Sequence, residues 1–178
     1  MAVDLPLLHK RFTTAGITQS AVRLRKARKG VTGMRATARE FCSSLKLNRL
    51  PKPANYGVTL DEWTHELKGK FPKDGQYWGV ARKCLNIFMR DASYNVHLCE
   101  LYPRLKLLEQ VFEVPLDSYT ANGLLKEDGA THFGLGRWDA IIRLTPDEHQ
   151  KFQRWALLVA KRKRILRVHL DLFYFPFP

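Results

Sequence analysis

A chain of 178 residues with 45% hydrophobic content is long enough for one compact domain with a real core, or for one domain and a short extension. Its 30 Lys and Arg against 17 Asp and Glu give a formal net charge of +13, which points to a polyanionic partner, nucleic acid first and an anionic membrane surface second. Three cysteines without paired spacing, Cys42, Cys84 and Cys99, argue against a disulfide framework or a zinc site and fit a reducing cytoplasm. No apolar run approaches the roughly 20 residues that a bilayer demands. Met1 to Lys10 lacks the charged leader, apolar stretch and cleavage site of an export signal, so a cytoplasmic protein without a membrane partner is expected. P-loop, G-x-G-x-x-G, G-x-S-x-G and H-E-x-x-H patterns are all missing, so no metal and no cofactor is expected.

The stretch 1–50 carries eleven cations, Arg25 and Lys26 among them, against Asp4 and Glu40. It reads as a basic helical region broken at Gly30 to Gly33, either a solvated face or a phosphate contact. Leu50 to Gly57 is an irregular connection to a second region, 51–178, the two forming one compact unit overall. Thr59-Leu60-Asp61-Glu62 has the capping-box pattern and predicts a short helix that Gly69 stops. Gly75-Gln76-Tyr77-Trp78-Gly79 predicts a turn; it either offers backbone N–H groups to a DNA phosphate at Gly75 and Gly79 or makes a tight connection between helices. A helix follows over Val80 to Glu100, with Leu85, Phe88, Met89, Ala92, Val96 and Cys99 on its buried stripe and Lys83, Ile87, Arg90 and Tyr94 opposite.

Tyr102-Pro103 closes that helix, and Leu105 to Val111 is another short apolar segment. In Glu113-Val114-Pro115-Leu116-Asp117-Ser118-Tyr119-Thr120-Ala121 the proline disfavours helix before it and Asp117 or Ser118 caps the helix after it. Gly129 to Gly136 is a loop. Thr145-Pro146-Asp147-Glu148 is a second capping box, opening a helix with Phe152, Trp155, Ala156 and Val159 on its apolar side. Lys161, Arg162, Lys163 and Arg164 end it with cations available to phosphates. The tail Ile165 to Phe177 is a final strand or a terminal helix with an acid near its start.

Three features in this order resemble the helix-hairpin-helix DNA glycosylase superfamily, in particular its archaeal 8-oxoguanine branch. They are the turn and helix of Gly75 to Phe88, the segment Val114-Pro115-Leu116-Asp117-Ser118-Tyr119-Thr120-Ala121, and Val168-His169-Leu170-Asp171. The resemblance covers a little over half the chain and implies a mainly α, compact, single-domain fold. It implies Asp117 as the catalytic carboxylate, Lys83 as a Schiff-base lysine and Asp171 as a reader of the extruded base. Arg90 stands where that branch has a pocket lysine, Ile87 where it has a ring that sandwiches the purine, and Phe175 at another aromatic pocket position. The glycines of the hairpin are spaced more widely than the family's L-P-G-x-G.

The resemblance makes the expected function base excision from double-stranded DNA by a monomer, in repair or in defence against phage DNA. Such an enzyme must rotate the base out of the stack, at a cost of a few kcal/mol, which phosphate neutralisation offsets. The substrate is either 8-oxoguanine or a hypermodified, for example glucosylated, cytosine. Asp117 would stabilise positive charge on the deoxyribose, and the Lys83 amine would attack the sugar and lead to β-lyase nicking; water-dependent release with Lys83 purely electrostatic is the other route. A non-enzymatic helical DNA-binding protein, a regulator or nucleoid component, is the competing class. An RNA-binding module is third, because the aromatics are not arranged in sequence as a stacking platform.

Overall fold

The computed structural model describes residues 5–18, 20–23 and 31–175, so Arg25 and Lys26 lie outside the described residues. Among these residues the chain is helical and contains no strand. The helices are α1 (Leu5–Gly16), α2 (Met34–Ser44), α3 (Tyr56–Lys70), α4 (Trp78–Tyr94), α5 (Val96–Leu101), α6 (Arg104–Glu109), α7 (Ser118–Lys126), α8 (Pro146–Lys163) and α9 (Leu170–Tyr174), with short 3-10 turns between several of them. None is long and apolar enough to cross a membrane, and no cluster of His, Cys, Asp and Glu among the described residues could hold a metal ion.

The centre of the molecule is α4. Its 17 residues make a rod of about 25 Å that packs against α1, α2, α3, α5, α6 and α8. Leu85, Phe88, Met89 and Ala92 are fully buried, and each of the larger three contributes about 1.5–3 kcal/mol by leaving water. The expected continuation to Glu100 fails at one residue. Asn95 adopts an extended backbone and its Oδ1 accepts a hydrogen bond from Leu98 N at 3.0 Å, capping a new helix. That break turns Val96 out of the stripe, to 66% exposure, and leaves Cys99 only half-buried.

Two other boundaries also differ from expectation. Helix α3 begins at Tyr56, directly after a 3-10 turn led by Pro53; Thr59 therefore lies inside the helix and no capping box forms there. Gly69 is exposed with open space around its Cα and the helix runs past it to Lys70. The capping box at Thr145 forms in full, with Thr145 Oγ1 accepting from Glu148 N and Glu148 Oε2 accepting from Thr145 N. The described part of the tail is a 3-10 turn at Arg167–His169 running into α9.

One continuous core runs from Ile17, Met34 and Phe41 through α4 to Val159, Val168 and Leu170, so the basic stretch 1–50 and the remainder share it. Helices α3 and α4, joined by a short connection, are antiparallel neighbours. Gly79, on the first turn of α4, packs closely on Ile141 and Leu144. A Cβ on Gly79 would stand 2.3 Å from the Ile141 carbonyl oxygen and 2.9 Å from Leu144 Cβ. Gly79→Ala is expected to lower the thermal midpoint by about 2–8 °C, since an overpacking cost of about 1–3 kcal/mol exceeds the helix-propensity gain of at most about 1 kcal/mol; a circular-dichroism melt checks it.

Candidate active site

The segment that leads to Asp117 is extended but has no neighbouring strand, so side chains take over the bonding that a strand would supply. Gln153 on α8 accepts from Val114 N at 3.1 Å and donates to Val114 O at 2.8 Å. Arg167 donates to the carbonyls of Phe112 and Val111 at 3.1 and 3.0 Å. Glu113 is gripped by Arg82 through two bonds of 2.8 Å, by Asn86 at 3.0 Å, and lies 2.7 Å from His149 Nε2. Arg82 also reaches Asp61 at 2.6 Å. Burial alone would raise the Glu113 carboxyl, but the charges and hydrogen bonds of His149 and Arg82 hold it well below the usual glutamate range.

Held in this way, the chain delivers Asp117 to the N-terminus of α7. Its Oδ1 accepts from Tyr119 N at 2.9 Å and Thr120 N at 3.0 Å, so the carboxylate is fixed by backbone and stands where the helix dipole favours a negative charge. Asp117 lies on the wall of a cleft of about 470 Å³. The opposing wall is α4, whose Lys83, Ile87, Arg90 and Tyr94 recur at the i, i+4, i+7, i+11 spacing of one helical face and all line the cleft. Asp171, Leu172 and Phe175 close it from α9, and Gly16, Thr18 and Ser20 from the N-terminal segment.

Lys83 Nζ donates to Ser20 O at 2.8 Å. Burial lowers the pKa of this amine, Asp117 opposes that, and Arg23 and Arg90 add to the lowering; the net direction is down. Arg90 is held between two acids. Its Nε and Nη2 donate to Asp91 Oδ1 at 2.8 and 2.7 Å, and its Nη1 bonds Asp171 Oδ2. Asp171 Oδ1 is buried with no hydrogen-bond partner among the described residues. Burial raises the carboxyls of Asp91 and Asp171 against the pull of Arg90, with Asp91 and Asp117 adding to the rise at Asp171. At the far end the Tyr94 hydroxyl lies 2.7 Å from His169 Nδ1, its ring stacked on the imidazole at 5.5 Å; burial and Asp171 push this phenol up to about 12.

The fold thus gathers Lys83, Ile87, Arg90, Asp117, Asp171 and Phe175 in one cleft, although they come from three separate stretches of sequence. It does not bring the expected phosphate contacts there. Gly75 is buried and its N–H already donates to Pro72 O at 2.7 Å. Gly79 is pressed against Ile141 and Leu144. Both glycines serve close packing. Lys161 is exposed at the end of α8, whereas Arg162 donates to Asp128 O at 2.9 Å and lies 4.9 Å over the Trp155 ring. A larger hollow of about 850 Å³ beside α1 and α2 has exposed Lys10 and Lys46 on its rim, but its Arg39 is committed to the carbonyls of Ile17 and Thr14.

Sequence reading missed the Arg82–Glu113–His149 cluster, Gln153 and Arg167. The available signal was Arg82 and Asn86 four apart among the apolar positions of α4, where an unpaired charge would be costly. The wall formed by Ala15, Gly16, Thr18 and Ser20 left no signal in the sequence. No protein-family model, curated protein or solved structure matches this chain.

Proposed function

We propose that the chain is a DNA glycosylase of the helix-hairpin-helix type, acting as a monomer on a base extruded from double-stranded DNA. The observation that carries this reading is the meeting of an amine, Lys83, and a backbone-held carboxylate, Asp117, across one cleft. A chain of net charge +13 draws in the phosphates, while the cleft itself holds three carboxylates, Asp91, Asp117 and Asp171, against Lys83 and Arg90. That interior disfavours a phosphate and favours the positive charge that develops on a deoxyribose as its base departs. A neutral Lys83 amine is the form that attacks the anomeric carbon, and its lowered pKa enlarges that fraction.

The row from Lys83 to Tyr94 runs about 16 Å along the helix, longer than a bare pyrimidine occupies beyond its sugar. The buried Asp171 Oδ1 asks for a donor, such as an exocyclic amine or a hydroxyl. These features support a modified pyrimidine with polar substituents ahead of 8-oxoguanine, since Ile87 replaces a stacking ring. In the deciding experiment, the protein is incubated with plain DNA, 8-oxoguanine DNA and DNA carrying glucosylated hydroxymethylcytosine, and abasic sites, nicks and borohydride-trapped adducts are scored. Release from one modified DNA is expected; tight binding with no release from any would favour the non-enzymatic DNA-binding reading.

A further inference from the structure

Beyond the mouth of the cleft, Tyr119 stands on the first turn of α7, 54% exposed. Its ring meets Phe175 edge to face at 5.9 Å, and Phe175 with Leu172 lines the cleft, so a half-exposed apolar surface continues outward from the site. It is held firmly. Tyr119 N donates to Asp117 Oδ1, which ties the ring's position to the acid. Behind α9, Tyr174 lies against Gly123, where a Cβ would stand 2.3 Å from the Tyr174 ring, and its hydroxyl donates to Glu127 at 2.7 Å. With Tyr174 turned inward, Leu172 on α9 and Phe175 directly after it both line the cleft.

A contiguous apolar surface beside a polar cleft marks a contact site. On a strongly basic chain the partner that carries flat apolar faces on a polyanionic backbone is a strand of unpaired nucleotides. We propose that Tyr119, with Leu172 and Phe175, is a ledge on which unpaired DNA bases next to the extruded nucleotide stack. The proposal rests on the DNA reading above, and stacking on such rings is indifferent to sequence because every base has a π face. Acids inside the cleft keep phosphates out of it, so the backbone passes along the ledge while a single base turns in.

The test is fluorescence anisotropy of the full chain with labelled oligothymidylate, a duplex with a three-nucleotide single-stranded gap, and an intact duplex, each over a range of salt. Tyr119→Ala is expected to weaken binding to the first two by about 5- to 100-fold. The intact duplex and the slope of affinity against salt should not change, because stacking releases no counterions. Tyr119→Phe should bind as wild type. Phe173→Ala, which removes an exposed ring on α9 that does not line the cleft, should leave gap binding unchanged. Unchanged gap binding by Tyr119→Ala, an equal loss on intact duplex, or conversion of a dimer to a monomer in sedimentation would overturn the ledge, the last by giving it to a second copy. No excision enters this measurement, so failure to release a base from any DNA refutes the glycosylase reading separately.

Discussion

Asp117→Asn is expected to lower the rate constant for base release by on the order of 10²–10³-fold, the scale on which a single preorganised electrostatic group acts, and to leave the melting temperature nearly unchanged. The two halves of this result come from the two jobs of one side chain. As a cap, Asp117 needs only Oδ1 to accept from Tyr119 N and Thr120 N, and asparagine is an equally good N-cap. In the proposed role of stabilising a sugar cation it needs its charge, which asparagine lacks. Single-turnover excision and a thermal melt on the same preparation separate the roles. Full excision by the variant would remove Asp117 from catalysis, and a large fall in melting temperature would make it structural alone. The companion substitution Lys83→Gln should abolish borohydride trapping, and wild-type trapping should rise with pH to a midpoint below the ordinary lysine value of 10.5.

Glu113→Ala is expected to be the most destabilising single substitution of a polar residue near the site. Arg82 is only 4% exposed, and removal of its bidentate partner leaves it with Asp61 and Thr64. Breaking a buried pair from one side costs about 3–5 kcal/mol, against a total stability of about 5–15 kcal/mol. The melting temperature should fall by about 6–20 °C. The pH dependence has a defined sign. The folded carboxyl is depressed below the ordinary glutamate value of 4.5, so its contribution is fully present above that value and is lost as pH falls through the folded pKa. The stability gap between wild type and Glu113→Gln, followed by chemical denaturation, should therefore narrow as pH drops below about 4.5. A gap that stays constant would show that the carboxylate is not held ionised by Arg82 and His149.

Some local signals were legible in the sequence, although the same capping pattern at Thr59 to Glu62 formed no cap. Thr145 with Glu148, Pro115 with Asp117, and the apolar repeat of α4 each led to the observed element. The helix end at Asn95 was not legible, because asparagine caps and helix interiors differ there only in one side-chain bond to Leu98 N. Four of the five α4 residues that line the cleft were visible as one helical face, yet their meaning depends on what lies opposite, which periodicity does not encode. Arg90 illustrates this. Its charge reads as a free cation in sequence, and in the fold it is neutralised by Asp91 and Asp171, one of them about 80 residues away. The stretch before Asp117 was legible only as a short apolar run ended by a proline, and tertiary structure alone shows Gln153 and Arg167 bonding its backbone.

The cleft takes one wall from Ala15, Gly16, Thr18 and Ser20 and another from Asp171, Leu172 and Phe175, about 150 positions apart along the chain. During synthesis, α4 and the cap at Asp117 can form while α9 is still inside the ribosome, since domains fold as their segments emerge. At that stage Lys83 can already meet the Ser20 carbonyl, but Asp171 and Phe175 have not arrived. Until α9 emerges, the basic nascent chain lacks the wall that completes the cleft.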